Sequence, residues 1–245
     1  AISEAIEAVV KSEGKAKYAL GSVLGHVLLH QTINGNEAIL QMEQAGDYPD
    51  IIVGCTGGGS NLAGLMFPFL GQQLRGGQKI DIIGCEPLSC PSFTKGKYAY
   101  DHGDMARMTP LIKMHTLGSD FLPPANHSGG LRYHGMSYHL SHLYDLGLMR
   151  AKAYGQKDCF EAGVIFGKQE GIIPAPEGNH AVKGAIDAAL ECKEKGESKT
   201  ILFNLCGHGH FDMTAYDDYF SGRLADDFYD EDTANKSLSA LPEIA

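Results

Sequence analysis

Residues 50 to 65 read Asp50-Ile51-Ile52-Val53-Gly54-Cys55-Thr56-Gly57-Gly58-Gly59-Ser60-Asn61-Leu62-Ala63-Gly64-Leu65. The short apolar run bounded by polar residues has the pattern of a buried strand, and Asn61 to about Gln73 has that of a helix. A second apolar run, Lys79 to Cys85, follows and ends in Glu86-Pro87. Strand, glycine loop, helix and strand in this order make a βαβ unit. That unit implies a parallel sheet with a right-handed crossover.

Outward from this unit the chain alternates in the same way. Residues 1 to 12 have an amphipathic helical pattern carried by Ile2, Ile6, Val9 and Val10. Lys17 to Gly35 is apolar but irregular, and residues 36 to 45 suit a helix stopped by Gly46. Asp158 with Glu161 three residues on resembles a capping box opening a helix to about Lys168. A further helix is expected from His180 to Lys195, a last strand from Thr200 to Cys206, and a short helix near Leu238 to Leu241. The stretch from Ser89 to Gly147, rich in Gly, Pro, His and Tyr, has the character of a functional or interface segment. The fold class is α/β.

The chain has 245 residues and a formal net charge of −10. This balance argues against nucleic acid or an anionic membrane surface as partner, since both demand a basic face. No apolar stretch is long enough to span a bilayer. The six cysteines form no disulfide-like spacing, so a reducing, cytoplasmic setting is the simplest reading. The opening Ala1-Ile2-Ser3-Glu4-Ala5 is already helical in pattern, which suggests a fragment of a longer polypeptide.

Consecutive glycines let backbone N–H groups converge on an anion without side chains in the way. A helix starting at Ser60-Asn61 adds unpaired amides and the positive end of its dipole. A tight turn that uses glycine for packing alone is the plainer alternative. The nucleotide P-loop calls for Lys-Ser/Thr after its last glycine, where Ser60-Asn61-Leu62 stands here. The dinucleotide fingerprint would find its acidic residue in Glu86 but meets Leu62 at the third glycine position. A phosphate monoester on a small cofactor fits better than either.

Five further patterns occur in order along the chain: Gly57-Gly58-Gly59-Ser60-Asn61; Gly84-Cys85-Glu86-Pro87; Glu170-Gly171-Ile172-Ile173-Pro174-Ala175; Glu177 with His180-Ala181; and Asn204-Leu205-x-Gly207-x-Gly209. Together they resemble the C-terminal part of the tryptophan synthase beta chain family. The stretches from Gly21 to Thr32, Gly129 to Gly135, and Gly207 to Asp212 are similar to its second, longer type. The resemblance implies a fold-type II pyridoxal-phosphate enzyme, a three-layer parallel sheet with helices on both faces, lacking the N-terminal portion. It divides the chain into residues 1–35, a remnant of the N-terminal domain and crossover, and residues 36–245, a domain that binds the cofactor phosphate.

In that family the reaction joins indole to a dehydrated serine unit, from L-serine or O-phosphoserine. The resemblance assigns the phosphate of pyridoxal phosphate to Gly57, Gly58, Gly59, Ser60 and Asn61, and sets Glu177 beside the ring in a catalytic role. Taken alone, Glu177 reads as a helix N-terminal carboxylate. Cys206 stands where the family usually has serine facing the pyridine nitrogen, and a thiol is a weaker hydrogen-bond partner; a buried strand-end cysteine is the alternative. Asp120 and Phe121 resemble a segment that closes over the amino acid and, with the region of Gly57, would serve a monovalent cation (K⁺ or Na⁺). Arg132 is a candidate ligand for a substrate carboxylate or phosphate, or else a surface ion-pair residue.

His134, His139 and His142, with the last two on one face if helical, read as ordinary polar packing rather than a metal set. His208 and His210 read as cofactor-pocket or hinge residues. The family's cofactor-holding lysine lies ahead of the region matching Ala1; Lys113 and Lys183 read as surface or helix residues. The 245 residues alone are therefore expected to make no tryptophan. The family suggests a homodimer and an alpha-chain partner. The rival readings are another fold-type II serine or threonine lyase and a non-catalytic module that keeps the fold.

Overall fold

The computed structural model describes residues 2–19, 21–226 and 228–243. The βαβ unit forms as expected, with β1 (Ile51–Cys55), α3 (Ser60–Leu74) and β2 (Asp81–Pro87). With β5 (Arg150–Tyr154) and β6 (Ile201–Phe203) they build a parallel sheet in the order β5-β2-β1-β6. The central strand β1 is buried throughout, because both faces of the sheet are covered by helices.

One face carries α2 (Gly25–Ala45), α3 and α4 (Tyr138–Asp145), and buries Ile52, Leu62, Met66, Phe69, Ile82 and Leu140 against one another. The other carries α5 (Gln156–Glu170) and α6 (Pro176–Lys195), and packs Ile51, Val53, Ile83, Cys85 and Ala188 together. The alternation of burial along β1 therefore sends odd-numbered residues to α6 and even-numbered ones to α2 and α3. The three-layer arrangement is the one the resemblance implied.

Three expectations need correction. The irregular stretch before residue 35 is helical from Gly25, so the helix expected from residue 36 begins well before it. It can do so because Gly35 sits against the carbonyls of Gly64 and Leu65, where a side chain would collide. Helix α5 starts at Gln156, with Gly155 at its cap position, and Asp158 makes no capping hydrogen bond. The free amide of Lys157 is met instead by Asp226 Oδ1 at 3.3 Å, from far along the chain. The tail helix α8 (Glu231–Ser239) starts earlier than its apolar residues suggested, because the Asp230 side chain accepts the Thr233 amide at 3.0 Å.

The segment from Ser89 to Gly147 contains the antiparallel pair β3 (Lys97–His102) and β4 (Leu111–Thr116) and then α4. Its hinge to the main sheet is Glu86. This buried carboxylate accepts the amides of Phe93 and Thr94, each at 2.9 Å, and the Thr94 hydroxyl at 2.7 Å. Burial raises its pKa to about 7 against the lowering effect of those bonds. Glu86 thus holds a turn and does not face a ribose.

Candidate active site

Ligands of parallel sheets collect at the carboxyl ends of the strands, and the residues singled out in the sequence meet there. After β1 the chain turns through buried Thr56 to Gly59 into α3. Gly59 adopts φ +103°, a conformation that L side chains rarely take. A Cβ on Gly58 would lie 2.3 Å from Ser22 Oγ and one on Gly57 would lie 2.8 Å from the Gly130 carbonyl. The loop is therefore clamped from two sides, by the segment before α2 and by the Gly129–Leu131 turn.

The clamp also uses main-chain bonds. Ser60 donates its amide to the Ser22 carbonyl at 3.1 Å, and Ser137 donates to the Gly58 carbonyl at 3.0 Å. Ser60 thus keeps only its hydroxyl for a ligand. The amides of Gly57, Gly58, Gly59 and Asn61 have no hydrogen-bond acceptor among the described residues. Four unpaired donors at a buried helix N-terminus fit an anion of phosphate size. The Thr56 hydroxyl, just before the loop, and His180 Nε2, on α6, are buried with no hydrogen-bond partner among the described residues.

Helix α6 brings Glu177 to the same place. The strand-like contact of Pro174 with His208 is fastened by Ala175 donating to Gly207 O at 2.9 Å and by Gly209 donating to Ile173 O at 2.7 Å. Pro176 then opens α6 at a position where its missing N–H costs nothing. Glu177 lies in that first turn, and its Oε1 accepts the Gly130 amide at 2.9 Å. One carboxylate thereby ties α6 to the turn that packs on Gly57. His180, one turn on, is fully buried with Nδ1 3.0 Å from the Pro176 carbonyl, and burial lowers its pKa to about 4.

Cys206 closes the group. Its Sγ is 3.7 Å from Cys55 Sγ, which in turn is 3.7 Å from Asn61 Oδ1. The Cys55 hydrogen bond to Cys206, followed by burial, raises the Cys55 pKa, while the same bond lowers that of the exposed Cys206. A polar cavity of about 500 Å³, lined in part by Gln31, Asn34, Asn61, Asn204 and Cys206, opens beside them. A second cavity, apolar and about 270 Å³, lies behind the loop and includes Val23, Met136 and Ser137.

The remaining candidates make other contacts. Asp120 pairs with Arg107 at 3.1 Å, and both side chains are exposed. Arg132 follows the clamp residue Leu131 but sends Nη2 to the Pro123 carbonyl at 2.6 Å. Phe121 packs with Cys90, Leu117 and Ala234. His134 is buried against the His102 carbonyl, and His139 stacks on Tyr138. His208 and His210 adjoin each other, with ring centroids 4.7 Å apart. Lys113 stands over the Tyr98 ring, and Lys183 pairs with Asp187. Among the described residues, no cluster of three or more His, Cys, Asp or Glu side chains is placed to hold a metal. The Ser22 and Ser137 contacts were missed as site features because neither lies in a pattern that points at the loop.

The chain is 58% identical to the tryptophan synthase beta chain 2 of Aquifex aeolicus, over 92% of this chain and 52% of that protein. It is 57% identical to the one from Methanosarcina mazei over 91% of this chain and 50% of that protein. It is 52% identical to the tryptophan synthase beta chain of Pyrococcus horikoshii over 99% of this chain and 52% of that protein. The chain thus spans about half the length of the curated relatives it matches. A crystal structure of a fungal L-serine ammonia-lyase from Rhizomucor miehei superposes with a TM-score of 0.62 at 14% identity, covering 88% of this chain and 64% of that one. That likeness is one of fold. Residues 11–207 match the family model described as pyridoxal-phosphate dependent enzyme. The chain belongs to the pyridoxal-phosphate dependent enzyme family, of fold-type II.

Proposed function

We propose that the chain is the cofactor-phosphate-binding C-terminal part of a tryptophan synthase beta chain, which condenses indole with L-serine or O-phosphoserine to give L-tryptophan. The observation that carries this reading is the convergence of the unpaired amides of Gly57, Gly58, Gly59 and Asn61 with Glu177 and Cys206. Its close similarity to beta chains supports the choice of reaction.

Pyridoxal phosphate supplies an electron sink for negative charge at the α-carbon of an amino acid. The protein's part is to hold and orient it. The loop amides and the Ser60 hydroxyl would hold the phosphate, and the positive end of α3 would add to their hold. Cys206, whose sulfur is 3.7 Å from that of Cys55, would face the pyridine nitrogen, where a thiol would be a weaker hydrogen-bond partner than a hydroxyl. Glu177 is fixed by the Gly130 amide, so its carboxylate would present one orientation to the cofactor ring. The buried, neutral His180 stiffens the first turn that carries Glu177.

In this reading Asp120 and Arg132 close toward the amino-acid substrate. Arg132 would meet its acidic group, and the Phe121 segment with the region of Gly57 would hold a K⁺ or Na⁺ ion. The whole protein works as a cytoplasmic homodimer with an alpha-chain partner, and the lysine that holds the cofactor lies in the part of the relatives beyond this match. Among the described residues no helix is long and apolar enough to cross a membrane.

Co-expression with the N-terminal half of the Aquifex aeolicus relative tests the reaction. The reconstituted protein, given indole and either serine or phosphoserine, is expected to form tryptophan. Pyruvate and ammonia from serine, with no tryptophan, would instead identify a serine-deaminating lyase.

A further inference from the structure

β1 and β6 are neighbours in parallel register, with Val53 opposite Phe203, and Asn204 extends the ladder by donating to the Val53 carbonyl at 3.0 Å. Cys55 ends β1 two residues past Val53, and Cys206 lies three residues past Phe203, beyond the end of β6, with the two sulfurs 3.7 Å apart. A disulfide closes at an S–S length of about 2.05 Å, so the two sulfurs already face each other at a separation that a small side-chain movement can close.

The two thiols are in unlike settings. Cys206 is exposed and borders the polar cavity of about 500 Å³, while the other five cysteines are buried. Cys55 lies behind it, aimed at Asn61 Oδ1 and Cys206 Sγ. An accessible sulfur of lowered pKa with a second sulfur in reach has the arrangement of a redox-active pair. A hydrophobic packing role accounts for Cys85, Cys159 and Cys192, which lie in the apolar layer under α6, but not for an exposed thiol at the site's edge.

We propose that Cys55 and Cys206 form a reversible oxidation site that peroxide closes to a disulfide. The Cys206 thiolate attacks one oxygen of hydrogen peroxide, the O–O bond breaks, and the leaving hydroxide takes a proton to become water. Cys206 is then a sulfenic acid. The Cys55 sulfur attacks the Cys206 sulfur, the S–OH bond breaks, and the departing hydroxide removes the Cys55 proton as a second water. Two thiols give up two electrons and two protons, and one peroxide becomes two waters.

Closure draws Cys55 from Asn61 and fixes Cys206 across the end of β1. On the cofactor reading above, on which this consequence rests, oxidation lowers pyridoxal-phosphate affinity, and reduction restores it.

Peroxide treatment followed by non-reducing peptide mapping tests the pair. A Cys55–Cys206 linked peptide, lighter by two hydrogens than the two thiol peptides, is expected, and dithiothreitol should remove it. Cys55→Ala and Cys206→Ser should each abolish it, while Cys192→Ser should retain it. Absence of the linked peptide while Cys206 advances to sulfinic acid would overturn the proposal, as would linkage through another cysteine. The linked peptide is read without any cofactor, so it reports on the thiol pair even if the reduced protein binds no pyridoxal phosphate, a result that would count against the cofactor reading alone. In the full-length protein, oxidation should weaken cofactor binding by roughly tenfold; equal affinity in both states would overturn the coupling.

Discussion

His180 shows how a single residue can tie the site to the stability of the fold. Its ring is buried in α6, with Nδ1 near the Pro176 carbonyl and Nε2 without a partner, so a second proton would have nowhere to bond. Burial takes its pKa from the usual 6.5 to about 4. Between those values the unfolded chain binds more protons than the folded one, so stability falls as pH falls through this window. Above pH 6.5 the ring is neutral in both states and the effect is absent. The stability gap between the parent and His180→Asn should therefore narrow by on the order of 3 kcal/mol as pH drops from about 7 to 4. Buried Glu86 pulls the opposite way between 4.5 and about 7, but it is common to both proteins and cancels in the difference. Urea unfolding at several pH values measures the gap; a gap constant with pH would contradict the assignment. The sequence could show that a histidine follows Glu177 by three positions, but not that its second nitrogen would be left unpaired.

At the scale of elements, the meeting of α6 with α7 (Met213–Phe220) holds the Pro174 corner from which Glu177 springs. The Tyr216 hydroxyl donates to the Pro174 carbonyl at 2.6 Å and accepts from Asn179 Nδ2 at 3.1 Å, all buried. Tyr216→Phe leaves a buried carbonyl and a buried amide each short of a bond, which should cost about 1–3 kcal/mol. Thermal unfolding reads that loss; a variant as stable as the parent would show that the corner is held by its backbone bonds to Gly207 and Gly209 alone.

Elements were legible where one physical signal dominated. Apolar runs and a glycine loop gave away β1, α3 and β2, and Gly196 marked the end of α6. The edge strand β5, Arg-Ala-Lys-Ala-Tyr, is only half-buried and reads as polar, so its place beside β2 was hidden. The β3–β4 pair carries charged and aromatic residues on both sides and joins through a long connection, which left no clear alternation to see. Helix α2 contains Gly25, Gly35, Asn34 and Asn36, which are poor helix formers held in place by packing on α3.

Across the whole molecule, the site is assembled by the order of the sheet. Because β6 lies beside β1, the C-terminal motif at Cys206 comes next to the first loop, more than 140 residues earlier in the chain. The motifs were legible one by one; their convergence depends on long-range pairing that no local pattern encodes. The proposed role of the loop from Gly57 to Asn61 is to seat a phosphate. Binding of pyridoxal phosphate against pyridoxal, which differ by the phosphate alone, to the polypeptide that carries this chain reads that role. Pyridoxal phosphate should bind at least roughly a hundredfold more tightly, about 2.7 kcal/mol, and Gly58→Ala, whose Cβ would meet Ser22 and Val23, should erase most of that advantage. Equal affinity for the two compounds, or an advantage untouched in Gly58→Ala, would contradict it.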